Sequence, residues 1–200
     1  GRRAHAAPPH QGLDPVVCAA QLVTAFQSIV SRNVDPLDTI VLSVTSIHAG
    51  EAYNVIPQGV DMKGTIRYFK TEVRDLVVAR MQAVTESLCA AMGCVGEIKV
   101  EPMTIPVVNN AEVSAKLRPV FASILGEDAF ETETRTMGAE DVSLFMDDIP
   151  GMYFFVGAKD ETRDVLYGHH HPRFSIDEDA LPIGAALLSS AVAAYVLPEA

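Results

Sequence analysis

Apolar and polar positions recur along this chain in two periods, and the switches between them lay out its elements. Ala19, Leu22, Val23, Phe26, Ile29 and Val30 follow one another at helical steps, which predicts an amphipathic helix with one buried stripe. Asp14-Pro15 marks its start. The carboxylate can accept from orphan N–H groups, and Pro at the first helical position gives up a donor that had no partner. The stripe ends before residues 33–36. Residues 39–48 then alternate, with Ile40, Leu42 and Val44 on one face and Ser43 and Thr45 on the other, the pattern of a strand. Ala49-Gly50 breaks it, and residues 53–57 form a short extended piece that Pro57 terminates. Residues 60–69 give a second strand, with Val60, Met62, Ile66 and Tyr68 opposite Asp61, Lys63, Thr65 and Arg67. A helix from Thr71 as N-cap to Gly93 as C-cap would bury Val73, Val77, Met81, Val84 and Leu88. Residues 97–101 close the set as a strand with Ile98 and Val100 inward.

The order is helix, strand, strand, helix, strand. One strand upstream would complete β-α-β-β-α-β, an α+β, ferredoxin-like unit with a four-stranded antiparallel sheet and both helices on one face. Residues 102–110, with Pro102, Pro106 and Asn109-Asn110, read as a linker out of it. The second half reads as helix (111–125), short strand (133–136), helix (139–146), buried strand (152–156), loop and terminal helix. Two strands and three helices of this length do not close an α/β core alone, so this half is expected to need strands from elsewhere. Residues 180–197 carry no charge and approach the minimum for a membrane span. However, Ala180, Ile183, Gly184, Leu187, Leu188, Ala191, Val192 and Tyr195 recur at helical spacing, which favours a helix docked on a core over a membrane anchor.

Composition narrows the function classes. With 48% apolar residues in a chain of 200, a real core forms and disorder is excluded. Fifteen Lys and Arg against 26 Asp and Glu give a formal net charge of −11, which repels phosphate backbones and anionic lipid surfaces and argues against nucleic-acid or membrane partners. Cys18, Cys89 and Cys94 are odd in number and lack C-x-x-C spacing. A disulfide framework or four-Cys zinc site is therefore not expected, and a reducing, cytoplasmic location is the simpler reading. The first residues hold neither an initiator Met nor a signal region, and the chain reads as a fragment.

Several residues could carry chemistry. His169-His170-His171-Pro172-Arg173-Phe174 follows the expected buried strand. Imidazole is a common neutral metal ligand, but a solvated polar loop would look the same, and no further ligands stand at obvious spacing. His5, among small residues and prolines, is either a donor for an oxyanion or a surface His. His10 is a weaker case, suited to framing the next helix. Asn54 fits an Asx turn, and Arg67 a solvated ion pair. Glu140 and Asp141 at a helix start complement the helix dipole without any catalytic role. Cys89 and Cys94 read as small buried groups rather than a redox pair.

Taken together, five spaced motifs change this picture: His5-Ala6-Ala7-Pro8-Pro9-His10 with Asp14-Pro15-Val16-Val17; Ser46-Ile47-His48-Ala49-Gly50 with Asn54-Val55-Ile56-Pro57; Gly64-Thr65-Ile66-Arg67; Met137-Gly138-Ala139-Glu140-Asp141; and His169-His170-His171-Pro172-Arg173-Phe174 with residues 176–182. In this order the chain resembles the zinc-dependent aminoacylase and carboxypeptidase metallopeptidases, most nearly their amidohydrolase branch of hippurate and auxin-conjugate hydrolases. The resemblance implies that residues 1–106 are a lid and dimerisation domain short of its first strand, and that 107–200 are the C-terminal part of an α/β catalytic domain. It implies a cytoplasmic homodimer, joined through the lid, that hydrolyses N-acyl amino acids to a carboxylic acid and an amino acid. Two divalent metal ions (zinc, or manganese or cobalt) and a Glu general base would serve it, the Glu and most ligands lying outside these 200 residues, which alone would be inactive. His170 would be the last metal ligand. His5, reaching in from the partner subunit, would hydrogen-bond the scissile carbonyl oxygen, and Asn54 and Arg67 would hold the substrate's free carboxylate. Ala4, Pro8 and Ser175 depart from the common pattern, which leaves acyl preference open. The competing reading is a non-catalytic ferredoxin-like module for dimerisation or small-molecule binding.

Overall fold

Asp14 accepts a hydrogen bond from the Val16 N–H at 2.8 Å and so launches α1 (Pro15–Asn33). The computed structural model describes residues 1–163, 165 and 167–197. They fall into two units, Gly1–Pro106 with Thr136–Glu140 and Val107–Arg135 with Asp141–Ala200.

In the first unit, β1 (Ala4–His5) pairs antiparallel with β3 (Val55–Ile56), and β2 (Ile40–Ala49) pairs antiparallel with β4 (Val60–Tyr68). α1 and α2 (Thr71–Ala91) pack on each other and on the β2–β4 pair. Ile29 and Val77 are completely buried in that layer, beside Leu22, Phe26, Ile40 and Leu42. β2 carries a bulge, because Val44 faces Gly64 while Ser46 faces Lys63, leaving Thr45 as the extra residue. A Cβ on Gly64 would stand 2.2 Å from the Ser43 carbonyl oxygen, so the close approach requires glycine. α2 begins one residue earlier than expected: Lys70 is its N-cap without a side-chain bond, and Thr71 is its first helical residue. At its other end Gly93 is left-handed, and the Cys94 N–H reaches back to the Cys89 carbonyl at 2.8 Å, closing a Schellman motif.

The expected four-stranded sheet is present as a β2–β4 pair alone. Residues 97–101 run beside the core through Ile98, with Val100 exposed, but are not a strand. An extended segment becomes a strand only when a neighbour completes its ladder, and none among the described residues does so.

The second unit is built on α3 (Ala111–Leu125) and α5 (Ala180–Val196), with the short α4 (Val142–Met146). The Asn110 side chain caps α3 by accepting from the Glu112 and Val113 N–H groups at 3.0 Å. α3 and α5 bury Leu117, Phe121 and Leu187 between them, and Phe154 meets Phe121 edge to face at 5.1 Å. α5 docks through Ile183, Leu187, Ala191 and Ala194, a narrower stripe than expected. Leu188 and Val192 are exposed, as is Tyr195, whose ring lies under the Lys116 ammonium. The strands expected at 133–136 and 152–156 do not form. At Tyr153 the reason is visible: its N–H donates to the Asn109 side-chain oxygen, and its carbonyl accepts from the Asn109 side-chain nitrogen, both at 2.8 Å. One amide side chain occupies the groups a strand partner would have used. No helix among the described residues is long and apolar enough to cross a membrane.

Truncating a side chain at the centre of the first unit leaves a cavity the helices cannot fill. Ile29→Ala is expected to cost about 2–5 kcal/mol, whereas Leu37→Ala, at a residue 93% exposed, should stay within about 0.5 kcal/mol; urea denaturation of both variants checks this.

Candidate functional site

The loop carrying His5 is tied at both ends by main-chain bonds. Arg2 and Leu13 exchange two hydrogen bonds of 2.9 and 3.0 Å, and β1 lies against β3 with His5 opposite Val55. The Ala6 N–H then donates to the Asn54 carbonyl at 2.9 Å. Two expected site residues, 49 positions apart in sequence, are therefore neighbours through the main chain. Asn54 occupies a turn in which the Val55 N–H donates to the Ala52 carbonyl, and its side chain is exposed. Beside it an open hollow of about 290 Å³ is lined by Val16, Ala49, Gly50, Tyr53, Val55 and Pro57.

The His5 imidazole is oriented within its own loop. The Ala7 N–H donates to His5 Nδ1 at 3.0 Å, so the neutral ring carries its proton on Nε2 and presents it to solvent as a donor. Arg67 sits on β4 opposite Val41. It alternates with Ile66 and Tyr68, which pack into the core, so it lies on the sheet face turned away from the helices with Thr65 and Lys63. It is half-buried and makes no ion pair among the described residues.

His170 belongs to the second unit. It has a φ of 65°, the positive value that among the described residues no other non-glycine shares. The His171 N–H donates to the Gly168 carbonyl at 3.3 Å, so His170 is the third residue of a tight turn that favours glycine there. Its two neighbours are occupied. The His171 ring stacks on Tyr167 at 4.2 Å and takes the Arg173 N–H on Nδ1 at 3.1 Å, while His169 meets Phe174 edge to face at 5.2 Å. The Arg173 guanidinium also lies over Tyr167. His170, exposed, is thus the imidazole of the three with no ring partner among the described residues. Residue chemistry alone did not tell the three apart, and only the resemblance singled out His170; in the structure their ring contacts and the turn distinguish them. No group of three or more His, Cys, Asp and Glu among the described residues could hold a metal. Asp141 is the N-cap residue of α4 without a side-chain bond, and the helix begins at Val142 rather than at Ala139 as expected, which leaves Glu140 outside it.

Residues 1–92 match the peptidase dimerisation domain of the M20 peptidases. Those residues are an M20 dimerisation domain. It is 39% identical over 181 residues to the N-acetyl-L-cysteine deacetylase of Bacillus subtilis, covering 90% of this chain and 42% of that protein. It is 36% identical over 207 aligned positions to the IAA-amino acid hydrolase ILR1-like 2 of Arabidopsis thaliana, covering 100% of this chain and 46% of that protein. Among solved structures, a dinuclear metal-binding peptidase of the M20 family from Bacillus subtilis superposes with a TM-score of 0.69 at 30% identity, covering 92% of this chain and 47% of that one. The chain spans about half the length of the curated relatives it matches. The α+β fold of this M20 dimerisation domain is that expected from the order of helices and strands.

Two outcomes are expected from this geometry. Long-range nitrogen–proton NMR of the neutral His5 ring should show the Nε2–H tautomer, and an Nδ1–H tautomer would contradict the Ala7 bond. His170→Gly should not destabilise the chain and should add up to about 1 kcal/mol by relieving the left-handed backbone, as read by thermal or chemical denaturation.

Proposed function

We propose that this chain is the lid and the C-terminal part of the catalytic domain of a homodimeric, metal-dependent amidohydrolase, which cleaves N-acyl amino acids to a carboxylic acid and an amino acid in the cytoplasm. Residues 1–106 are the lid and 107–200 the catalytic part. The observation that carries the reading is the pinned His5, whose ring is held through Nδ1 and whose neighbour Ala6 is bonded to the Asn54 main chain, within a peptidase dimerisation domain. The names of the relatives, a deacetylase of N-acetylcysteine and a hydrolase of IAA-amino acids, support the substrate class. The exposed apolar side of α5 supports a second unit that packs against further catalytic structure.

In this reading each residue has a chemical task. His5 Nε2–H, supplied by the partner subunit, donates to the scissile carbonyl oxygen, and that bond strengthens as negative charge develops there. The Arg67 guanidinium offers a bidentate fork to the substrate's free carboxylate, and the Asn54 amide adds a neutral donor. His170 offers its imidazole to one of two divalent metals, of which zinc suits a nitrogen ligand. When bound, that pair supplies an activated water and polarises the amide carbonyl; its remaining ligands lie outside the described residues.

The test uses the full-length dimeric enzyme with N-acetyl amino acids. His5→Ala is expected to lower kcat by about 10²–10³. Arg67→Lys should raise KM about tenfold, by replacing the fork with a point charge. Mixed dimers of His5→Ala and His170→Ala subunits should regain activity that neither homodimer has. Unchanged turnover in His5→Ala, or no recovery in the mixed dimers, would refute the shared site.

A further inference from the structure

The first unit gathers all three cysteines of the chain into its core, where the proposed chemistry uses none of them. Cys18 on α1 and Cys89 on α2 are 71 positions apart, yet their sulfurs are 3.5 Å from each other. Each is 3% exposed. Cys94, beyond the Schellman turn, is 7% exposed and points its sulfur toward the Asp14 carbonyl at 3.9 Å. Cys89 is walled in on another side: a Cβ on Gly96 would stand 2.6 Å from both its sulfur and Thr85 Cγ2. The Cys89 sulfur therefore has Gly96 and the Cys18 sulfur as close neighbours.

We propose that Cys18 and Cys89 are an oxidation site that closes into a disulfide joining α1 to α2, with a peroxide as oxidant. One sulfur attacks the peroxide, whose O–O bond breaks to give a sulfenic acid and water. The second sulfur attacks the sulfenic sulfur, the S–O bond breaks, and the departing hydroxide takes the second thiol's proton. Two thiols and one peroxide become one disulfide and two waters, the sulfur pair losing two electrons. A disulfide needs its sulfurs about 2.05 Å apart, and side-chain rotation from a contact pair can supply that approach without separating the helices. Burial holds the Cys18 thiol above its ordinary range, which lowers its share of reactive thiolate. The reading is independent of the proposed amidohydrolase activity.

The test exposes the full chain to hydrogen peroxide, unfolds it in an alkylating reagent and measures intact mass and non-reduced peptides. The expected product has lost two hydrogens, carries one alkyl group on Cys94 and yields a peptide linked between Cys18 and Cys89. It should revert to three free thiols with dithiothreitol and melt several degrees above the reduced chain. Cys94→Ser should still form the bridge, whereas Cys18→Ser and Cys89→Ser should not. Three alkylated thiols after prolonged oxidation, a bridge that includes Cys94, chains linked to one another, or a melting point below that of the reduced chain would each overturn the proposal; the mass readout on the unaltered chain does not depend on the variants folding.

Discussion

Main-chain hydrogen bonds at Arg2–Leu13 and between Ala4–His5 and Val55–Ile56 close the first loop of the chain against the turn that carries Asn54, and the candidate site depends on that closure. A side chain on a free loop would lose its donor geometry to conformational entropy. Here the ladder fixes the His5 backbone, and the Ala7 N–H fixes the ring. The ladder is itself anchored by one apolar side chain, because Ile56 is buried while its neighbour Val55 is half-exposed. Burial thus reaches the imidazole through two short strands.

Local signals in the sequence had physical counterparts that survived folding. Asp14-Pro15 started α1, the alternation around Ile40–Val44 and Met62–Tyr68 made β2 and β4, and Gly93 ended α2 in the left-handed region. What failed were strands, and for a non-local reason. Residues 97–101 and 152–156 carry strand-like apolar patterns, but a strand is defined by its neighbour, which periodicity within one segment does not reveal. Asn109, part of an expected linker, is instead the partner of Tyr153. A side chain standing in for a strand leaves no period to read.

The site was legible unevenly for similar reasons. Its residues could be nominated from their spacing, and the juxtaposition of His5 with Asn54 needed the β1–β3 register. Three adjacent histidines were equivalent in residue type, and only the resemblance singled out His170. They differ in the structure because Tyr167 and Phe174 occupy two of them and a left-handed turn holds the third. A non-glycine residue kept in that conformation is a local conflict that the surrounding fold must hold in place.

The bulge at Thr45 reaches further than its one residue. Before it, even-numbered residues of β2 share the core side with Gly64, Ile66 and Tyr68; beyond it, Ile47 and Ala49 pair with Met62 and Val60, so the odd-numbered ones do. The side chains of the far end of the hairpin, next to the turn that bears Asn54, are therefore aimed by a parity change. For this stretch the chain tolerates a change of residue type far better than a change of residue count, and lineages of this fold should differ there by exchanges rather than by gaps.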